Sequence, residues 1–372
     1  LLADLGADVI KVEDTGAGDE SRTWPPHRDG EAAAYLLLNR NKRGMTLDLK
    51  APEGGEVIKI LVRNADVLVE NFRTGTMESF GLGYDVLAEI NPRLIYCSVS
   101  AFGRTGPRKD NPGYEALLQA FSGIMSITGE PDGQPVRSAV SFLDLTTGVL
   151  CTMGVCAAVL QRQRTGLGQR VDGSLLETAV SLLAYHAEGY LLQNVVPKPL
   201  GSGHPSLSPY RNFRCGDGQW IFIAAANDRF WQKLARALDL TWMAEDPRFA
   251  RNLERVTNRA ELEGILEQTI GRYQRDALLK ILEEADVPAT PVNTVDQVMS
   301  DPQTIERGIV QRVRHPRLGE IPVIGTPLKF SRMTPGVRQA APERSEHTDA
   351  ILAECGYSPD RIRELRDKKV IL

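Results

Sequence analysis

Residues 138–172 read SAVSFLDLTTGVLCTMGVCAAVLQRQRTGLGQRVD, and they predict a long apolar helix followed by a strand. One acid, Asp144, precedes an uncharged run of small and apolar residues from 149 to 160. Apolar surroundings disfavour a charged carboxylate, whereas the free N–H groups of a helix N-terminus favour it, so this position can tune the reactivity of Asp144. The plainer interpretation is that Asp144 is the N-cap of the helix, because Asp is a preferred N-cap residue. Gly166 follows two arginines and is predicted to end the helix.

The chain is long enough for two domains, since its 372 residues exceed the usual size of one. The hydrophobic content of 42% and the charged content of 25% are typical of a globular protein with a sizeable core. The net charge is −4, with acidic and basic residues mixed along the chain. This balance argues against nonspecific nucleic-acid binding but leaves room for a local basic pocket for a phosphorylated ligand.

The cysteines and histidines do not follow a metal-binding pattern. There are five of each, and neither a CxxC pair nor an HExxH motif occurs, so no metal is expected. The cysteines are expected to be reduced thiols of a cytoplasmic protein. The longest apolar run is about a dozen residues, short of the ~20 that a membrane span needs, and nothing resembles a signal peptide.

The first residues, LLADLGADVIKVE, predict the end of a helix and a strand from Asp8 to Glu13. Because a domain seldom begins on the last turn of a helix, an upstream strand and helix are expected outside this sequence. Glu13 could be the ribose-binding acid of a dinucleotide fold, which leaves a nicotinamide-dependent dehydrogenase open. However, no GxGxxG pattern precedes it.

Helices and strands alternate through the first half of the chain. Helices are predicted at 52–64, 77–90 and 175–194, and strands at 45–49, 65–70, 94–100 and 169–172. This order predicts a doubly wound α/β domain. The strand at 65–70 leads into Asn71-Phe72-Arg73, at the carboxyl end where open α/β sheets bind ligands.

The pattern changes after residue 195. A Pro/Gly/Ser-rich segment at 195–209 predicts a linker or an active-site loop, and 210–226 predicts a hairpin around Cys215-Gly216-Asp217-Gly218. Helices and short strands follow. We predict a large domain at 1–200, a small α+β domain at 210–328 and a segment at 329–372 that returns to the large domain.

Several motifs resemble the class III, formyl-CoA transferase-like family of CoA-transferases. They run in order through nearly the whole chain, and they are LADLGADVIKVE, NRNKRGMTLDLK, ADVLVENFRTG, PGYEALLQAFSGIMSITG, DLTTG from Asp144, RTGLGQRVD, LGEIPVIGTP and HTDAIL. The resemblance implies a Rossmann-like large domain, a smaller α+β domain and a homodimer in which the two chains interlock.

The resemblance also implies a set of site residues. Asp144 matches the catalytic aspartate, and Glu115 a supporting carboxylate. The positions that match CoA contacts are Leu47, Asp48, Lys50, Asn71, Phe72, Arg73, Pro112, Gly113 and Tyr114. The glycine loop that shields the reaction intermediates matches Gly201, Gly203 and His204.

The chemistry of an aspartate nucleophile agrees with these residues. A carboxylate can attack an acyl-CoA thioester to give a mixed anhydride, and the released CoA thiolate can return to form an aspartyl-CoA thioester. Backbone N–H groups near Gly148 or in the loop at 201–206 could stabilise the oxyanions, and the same loop could exclude water.

The substrate is less well defined. Arg137, His204 and the segment HPSLSPY look similar to transferases that use succinyl-CoA and dicarboxylic acids, and Arg137 would suit a second carboxylate unless it is only a surface residue. We therefore expect a CoA-transferase for small dicarboxylates that uses CoA and no metal, nucleic acid or membrane. One alternative is the family's α-methylacyl-CoA racemase, which has a histidine where this chain has Tyr114. A dehydrogenase and a non-catalytic CoA-binding protein are the others.

Overall fold

Twelve strands occur in the computed structural model, which describes residues 1–372. Their bounds are β1 Val9–Glu13, β2 His27–Arg28, β3 Glu31–Ala32, β4 Lys42–Thr46, β5 Val67–Glu70, β6 Ile95–Ser100, β7 Arg170–Ser174, β8 Tyr210–Arg214, β9 Trp220–Ala224, β10 Ala289–Pro291, β11 Val310–His315 and β12 Gly319–Ile324.

Seventeen α-helices connect the strands, together with 3-10 helices at Glu20–Thr23 and Ile124–Ile127. Their bounds are α1 Ala33–Asn39, α2 Pro52–Asn64, α3 Thr76–Ser79, α4 Tyr84–Ile90, α5 Glu115–Phe121, α6 Phe142–Thr165, α7 Leu175–Leu182, α8 Tyr185–Gln193, α9 Asp228–Ala237, α10 Thr241–Glu245, α11 Asn252–Thr257, α12 Arg259–Ile270, α13 Arg275–Glu284, α14 Val295–Ser300, α15 Pro302–Glu306, α16 Thr348–Glu354 and α17 Pro359–Asp367.

The fold is mixed α/β with parallel sheets, as predicted. Strands β5, β6 and β7 form one parallel sheet in that order, and β1 pairs in parallel with β4 in a second sheet. The parallel strands therefore lie in two separate sheets. Strands β8, β9 and β10 form an antiparallel sheet, which includes the predicted hairpin around Cys215.

The chain packs into two units that alternate along the sequence. The first contains Leu1–Leu118, Ser141–Leu182 and Pro302–Leu372, and the second contains Gln119–Val140 and Leu183–Asp301. The main core of the first unit surrounds α2 and β4 and includes residues of α16 and α17. The core of the second lies between the β8–β10 sheet and helices α9, α12 and α13.

Two helices predicted as continuous are broken. The helix predicted at 77–90 is divided into α3 and α4 because Gly81 has φ +67°, a left-handed conformation that a right-handed helix cannot contain. The helix predicted at 175–194 is divided into α7 and α8 at Ala184, where φ is +46°. The first packing unit ends at this second break, after Leu182.

Helix α6 is the longest, with 24 residues, and it ends as predicted at Gly166, which has φ +77°. Its buried side chains form one stripe, namely Leu143, Thr147, Cys151, Val155, Ala158 and Arg162. This stripe packs on β6 and β7. By length and composition α6 is the one helix in residues 1–372 that could cross a membrane. The sequence-based estimate of a dozen apolar residues missed this because it counted only the uncharged core of the helix.

Candidate active site

Asp144 lies in the first turn of α6 and is not its N-cap. The N-cap is Ser141, and its side chain makes no capping hydrogen bond. Asp144 is therefore the third residue of the helix, so the interpretation of this acid as an N-cap is wrong. Its side chain is exposed to solvent, whereas Leu143 beside it is fully buried.

The contacts of α6 place Asp144 at the carboxyl edge of the β5–β6–β7 sheet. Near the helix C-terminus, Nη2 of Arg162 lies 2.6 Å from Oδ1 of Asp66, directly before β5 at the amino edge. Near its N-terminus, Oγ1 of Thr147 donates to Oγ1 of Thr178 at 2.9 Å. Thr178 belongs to α7, the helix that follows the carboxyl end of β7. The helix therefore runs from the carboxyl edge to the amino edge. In open α/β sheets the carboxyl edge is where ligands bind.

Glu115 affects the charge state of Asp144. Partial desolvation of Asp144 raises its pKa, and the negative charge of Glu115 raises it further. Glu115 is the first residue of α5 and is buried, with 7% of its surface exposed. A carboxylate with a raised pKa is more basic, and hence a better nucleophile once it is ionised.

The donors best placed for an oxyanion are the first N–H groups of α6. The N–H groups of Phe142, Leu143 and Asp144 have no intrahelical acceptor, because the first intrahelical bond comes from the N–H of Leu145 to the carbonyl of Ser141 at 3.2 Å. Gly148 lies inside the helix, where its N–H is committed to the helical ladder. The Gly148 amide is therefore not available to donate to an oxyanion, as had been expected. The N–H groups of the first turn are the available donors in this helix.

The predicted CoA-contacting residues Asn71, Phe72 and Arg73 lie at the same sheet edge. They follow β5 directly, and all three are exposed. The N–H of Phe72 donates to Oε2 of Glu70 at 2.7 Å, and the Phe72 ring meets the edge of Phe80 at 6.5 Å. Local contacts thus hold the loop while its side chains stay accessible.

Arg104 is a residue of this edge that sequence reasoning did not select. Its guanidinium donates to Glu70, the last residue of β5, and to Ser98 of β6. It also lies 3.7 Å from Asp172 of β7 and 3.9 Å from Glu78 of α3. Only 7% of the Arg104 side chain is exposed. The only available signal was a basic residue in the glycine-containing loop after a strand.

The other predicted CoA contacts differ in accessibility. Leu47 is 1% exposed and packs in the core of the first unit, whereas Lys50 is exposed and its N–H donates to Oδ1 of Asp48 at 2.9 Å. Tyr114 is 72% exposed. A Cβ on Gly113 would lie 2.4 Å from the Cβ of Ala101, so only glycine allows this close approach. Pro112, the remaining predicted contact, is also exposed.

The predicted glycine loop lies in the second unit and is held by many hydrogen bonds. The N–H of Gly201 donates to the carbonyl of Gly129 at 2.8 Å, and that of Gly203 to the carbonyl of Leu200 at 2.8 Å. The N–H of Ser206 donates to Nδ1 of His204 at 3.1 Å. The loop therefore has a defined conformation in this unit.

The segment that carries Arg137 joins this loop. Gly129 begins the segment, and the N–H of Val136 closes it by donating to the carbonyl of Thr128 at 3.3 Å. A Cβ on Gly201 would lie 2.6 Å from Oε2 of Glu130. The exposed Arg137 and the loop containing His204 thus belong to adjoining segments of one unit.

Glu13 is not available as a ribose-binding acid. It is 4% exposed, and Nε and Nη2 of Arg22 donate to its two oxygens at 2.9 and 2.8 Å. Desolvation acts to raise the pKa of Glu13, but the hydrogen bonds and charge of Arg22 outweigh it and lower the pKa. Glu13 is a structural ion-pair residue, which removes the main feature that favoured a dehydrogenase. Residues 1–372 contain no group of three or more His, Cys, Asp or Glu side chains arranged to hold a metal ion.

Comparison with known proteins identifies the family. A family model described as CoA-transferase family III matches residues 1–348. The chain is 38% identical over 361 residues to a succinate–glutarate CoA-transferase of Agrobacterium fabrum, which covers 95% of this chain and 90% of that protein. It is 37% identical over 372 residues to the succinyl-CoA:glutarate CoA-transferase of Homo sapiens, and the alignment covers 100% of this chain and 85% of that protein. The crystal structure of a CAIB/BAIF family protein from Brucella suis superimposes with a TM-score of 0.84 at 41% identity, covering 95% of this chain and 93% of that one. On the family model, the sequence identity and the fold, the chain belongs to CoA-transferase family III.

Proposed function

We propose that the chain moves CoA from succinyl-CoA to a small dicarboxylic acid through a thioester formed on Asp144. The observation that carries the proposal is the position of this carboxylate. It is accessible, its pKa is raised, and it lies beside unpaired N–H groups at the carboxyl edge of a parallel sheet. The dicarboxylate substrates are proposed from the relatives named for succinate or succinyl-CoA and glutarate.

The first half of the reaction loads the enzyme. An oxygen of the Asp144 carboxylate attacks the thioester carbon of succinyl-CoA, and the C–S bond breaks to leave a mixed anhydride and CoA thiolate. The thiolate then attacks the Asp144 carbonyl carbon of the anhydride, which releases succinate and forms the aspartyl-CoA thioester. Each attack places a negative charge on a carbonyl oxygen, and the first-turn N–H groups of α6 can donate to it.

The second half reverses these steps with the acceptor acid. A carboxylate of the acceptor attacks the aspartyl thioester, CoA thiolate leaves, and a second anhydride forms. The thiolate attacks the acceptor carbonyl carbon, which gives the product thioester and restores the Asp144 carboxylate. No proton or water enters the balance, and water would destroy both anhydrides. The site where both anhydrides form must therefore be shielded from water.

CoA is proposed to bind at the carboxyl edge of the β5–β6–β7 sheet through the loop at 71–73. The exposed Phe72 ring and the Arg73 side chain offer an apolar surface and a positive charge there. A phosphorylated ligand needs such a charge.

We also propose that the chain forms the interlocked homodimer of its family, with Rossmann-like large domains. The support is an apolar stripe along α6 opposite its buried stripe. In this stripe Leu145, Val149, Met153 and Leu160 are 52%, 50%, 62% and 62% exposed. Such a surface is typical of a protein–protein interface. The five cysteines are free thiols, which supports a reducing, cytoplasmic location.

Mass spectrometry of the loaded enzyme tests the proposed function. Wild-type protein incubated with succinyl-CoA and digested at low pH is expected to carry CoA on the peptide that contains Asp144. Asp144→Asn should lose the adduct and reduce transfer to glutarate by at least about 10³-fold, because the nucleophile is absent. Asp85→Asn is the matched control, since Asp85 is an exposed first-turn acid of α4 in the same unit.

Three outcomes separate the possible functions. Transfer by Asp144→Asn at the wild-type rate would disprove the covalent mechanism. Exchange of the proton next to the thioester without transfer would identify a racemase instead. Binding of CoA with neither reaction would identify a non-catalytic CoA-binding protein.

A further inference from the structure

A cavity lies in the first unit between the end of α15 and the segment that follows β12. Its volume is about 250 Å³, and it is lined by Gln303, Thr304, Arg307, Ile309, Pro327 and Lys329. All six residues belong to the part of the first unit from Pro302 to Leu372. None of them lies in α5, in α6 or in the loop at 71–73, so the cavity shares no residue with the site around Asp144.

Hydrogen-bonded backbone flanks the cavity on two sides. The N–H of Arg307 donates to the carbonyl of Gln303 at 3.0 Å, and the chain then turns at Gly308, where φ is +57°. The N–H of Gly325 donates to the carbonyl of Ile309 at 2.7 Å, next to the antiparallel pairing of β11 with β12. The helix end and the end of this two-stranded sheet are therefore joined directly beside the cavity.

Two cationic side chains line the cavity without an acidic partner. Arg307 and Lys329 are exposed, and neither forms an ion pair within residues 1–372. The surrounding segment is also basic, since residues 302–336 contain six Arg and Lys but only two Glu. One of these acids, Glu320, lies 3.0 Å from Arg312 in an ion pair. The charge around the cavity therefore favours an anion.

The other acid of the segment, Glu306, does not line the cavity. Successive residues of an α-helix are rotated by about 100°, so Glu306 projects about 100° away from the middle of the face that carries Gln303, Thr304 and Arg307. Glu306 is also exposed, so solvent and salt screen its charge. The lining itself has two positive charges and no negative charge.

The lining combines these charges with apolar surface. Ile309 and Pro327 offer carbon atoms, Gln303 and Thr304 offer an amide and a hydroxyl group, and the two cations come from separate segments of the chain. A molecule with two carboxylates joined by methylene groups matches this pattern, because each carboxylate can accept from one cation while the methylene groups contact the apolar side chains. Inorganic phosphate has no apolar part. CoA is too large, since even drug-sized ligands occupy cavities of roughly 300–1,000 Å³.

We infer that this cavity is a second binding site for a free dicarboxylic acid, in which Arg307 and Lys329 each bind one carboxylate. The inference rests on the proposed function, in which succinate is released and a dicarboxylate such as glutarate is consumed at Asp144. Neither cation takes part in the proposed transfer, so binding in this cavity requires no CoA ester.

Equilibrium dialysis with radiolabelled glutarate, in the absence of any CoA ester, tests the site. Arg307→Gln and Lys329→Gln are each expected to raise the Kd at least about tenfold, the effect of losing a hydrogen bond to a charged group. Arg314→Gln is the matched control, because Arg314 is an exposed residue of the same basic segment that does not line the cavity. The Kd of this control should stay within about twofold of the wild-type value.

Two further measurements define the ligand and exclude misfolding. Unlabelled valerate, which has a methyl group in place of the second carboxylate of glutarate, and inorganic phosphate should each displace the label at least about tenfold less effectively than unlabelled glutarate. Transfer of CoA from succinyl-CoA to glutarate is measured on the same variants. Its kcat/KM should stay within about twofold of wild type, which also shows that the variants are folded.

The possible results are distinct. No binding to wild type, an unchanged Kd in both variants, or equal displacement by valerate or phosphate would overturn the inference. A parallel loss of binding and transfer in both variants would assign the two cations to the transfer site and would overturn it as well. If wild type transfers no CoA but the variants lose glutarate binding, the proposed function is wrong and the binding site stands. If wild type transfers CoA and the variants bind glutarate normally, only this inference is wrong.

Discussion

Arg104→Met is expected to destabilise the carboxyl edge of the β5–β6–β7 sheet. The substitution keeps most of the side-chain length but removes the guanidinium that donates to Glu70 and Ser98. The side chain of Glu70 is only 2% exposed, so water cannot replace the lost partner. One donor remains for Glu70, the N–H of Phe72 at 2.7 Å.

The expected cost follows from the buried pair alone. Removing one partner of a buried ion pair costs about 3–5 kcal/mol, since the other charge is left uncompensated. The contacts of Arg104 with Asp172 and Glu78 add little, because these acids are 49% and 51% exposed and lie 3.7 and 3.9 Å away. The remaining hydrogen bond to Glu70 reduces the cost. We therefore expect a loss of about 3 kcal/mol in the free energy of unfolding.

Urea unfolding of wild type, both single variants and the double variant measures this energy. Glu70→Gln removes the charge but keeps an acceptor for Phe72, so the double variant Arg104→Met/Glu70→Gln should recover about 2 kcal/mol relative to the sum of the single variants. Protein concentration is held constant, because association would shift the apparent stability. Arg312→Met is the control, since the Arg312–Glu320 pair is 70% and 64% exposed and its loss should cost about 0.5 kcal/mol or less.

Enzyme kinetics of the same variants tests the link to CoA. Glu70 holds the backbone of Phe72 at the start of the proposed CoA loop, so Arg104→Met should raise KM for succinyl-CoA more than it lowers kcat. A free energy of unfolding within about 0.5 kcal/mol of wild type, or additive energies in the double variant, would refute the reasoning.

Two further predictions concern electrostatics and packing. Glu115→Gln should shift the acid limb of the kcat/KM profile to lower pH, because the charge of Glu115 raises the pKa of Asp144; an unmoved limb would show that the two acids do not interact. Gly168→Ala should lower the free energy of unfolding by about 2 kcal/mol or more, since the new Cβ would lie 2.0 Å from the carbonyl oxygen of Leu94. By contrast, a Cβ on Gly264 in α12 would have no atom within 4 Å, so Gly264→Ala should raise the free energy of unfolding by about 0.5–1 kcal/mol. Equal changes in the two variants would contradict the close approach at Gly168 and the open space at Gly264.

Features with a local cause were predictable from the sequence. The end of α6 at Gly166 and the hairpin of β8 and β9 depend on residues that are close in the chain. By contrast, the break at Ala184 has no local signal, because leucine and alanine before and at this position both favour helix. It follows instead from the packing, since the chain passes from one unit to the other there.

The site was predictable only in part, for the same reason. The family motifs selected Asp144 and Glu115, and the charge of Glu115 acts on Asp144 in the structure. Arg104 was not selected because its partners, Glu70 and Asp172, are 34 and 68 positions away in the sequence.

The first turn of α6 links stability to reactivity. A serine at the N-cap usually accepts a hydrogen bond from a first-turn N–H, and the absence of a side-chain cap costs about 1 kcal/mol. Here Ser141 has no such bond, so the first N–H groups remain available beside Asp144. Contacts near the C-terminus of the helix offset the missing cap. There Arg162 is 8% exposed and donates hydrogen bonds to Asp66 and to the carbonyl of Arg93. A capped first turn would be more stable, but its donors would already be occupied when an oxyanion forms.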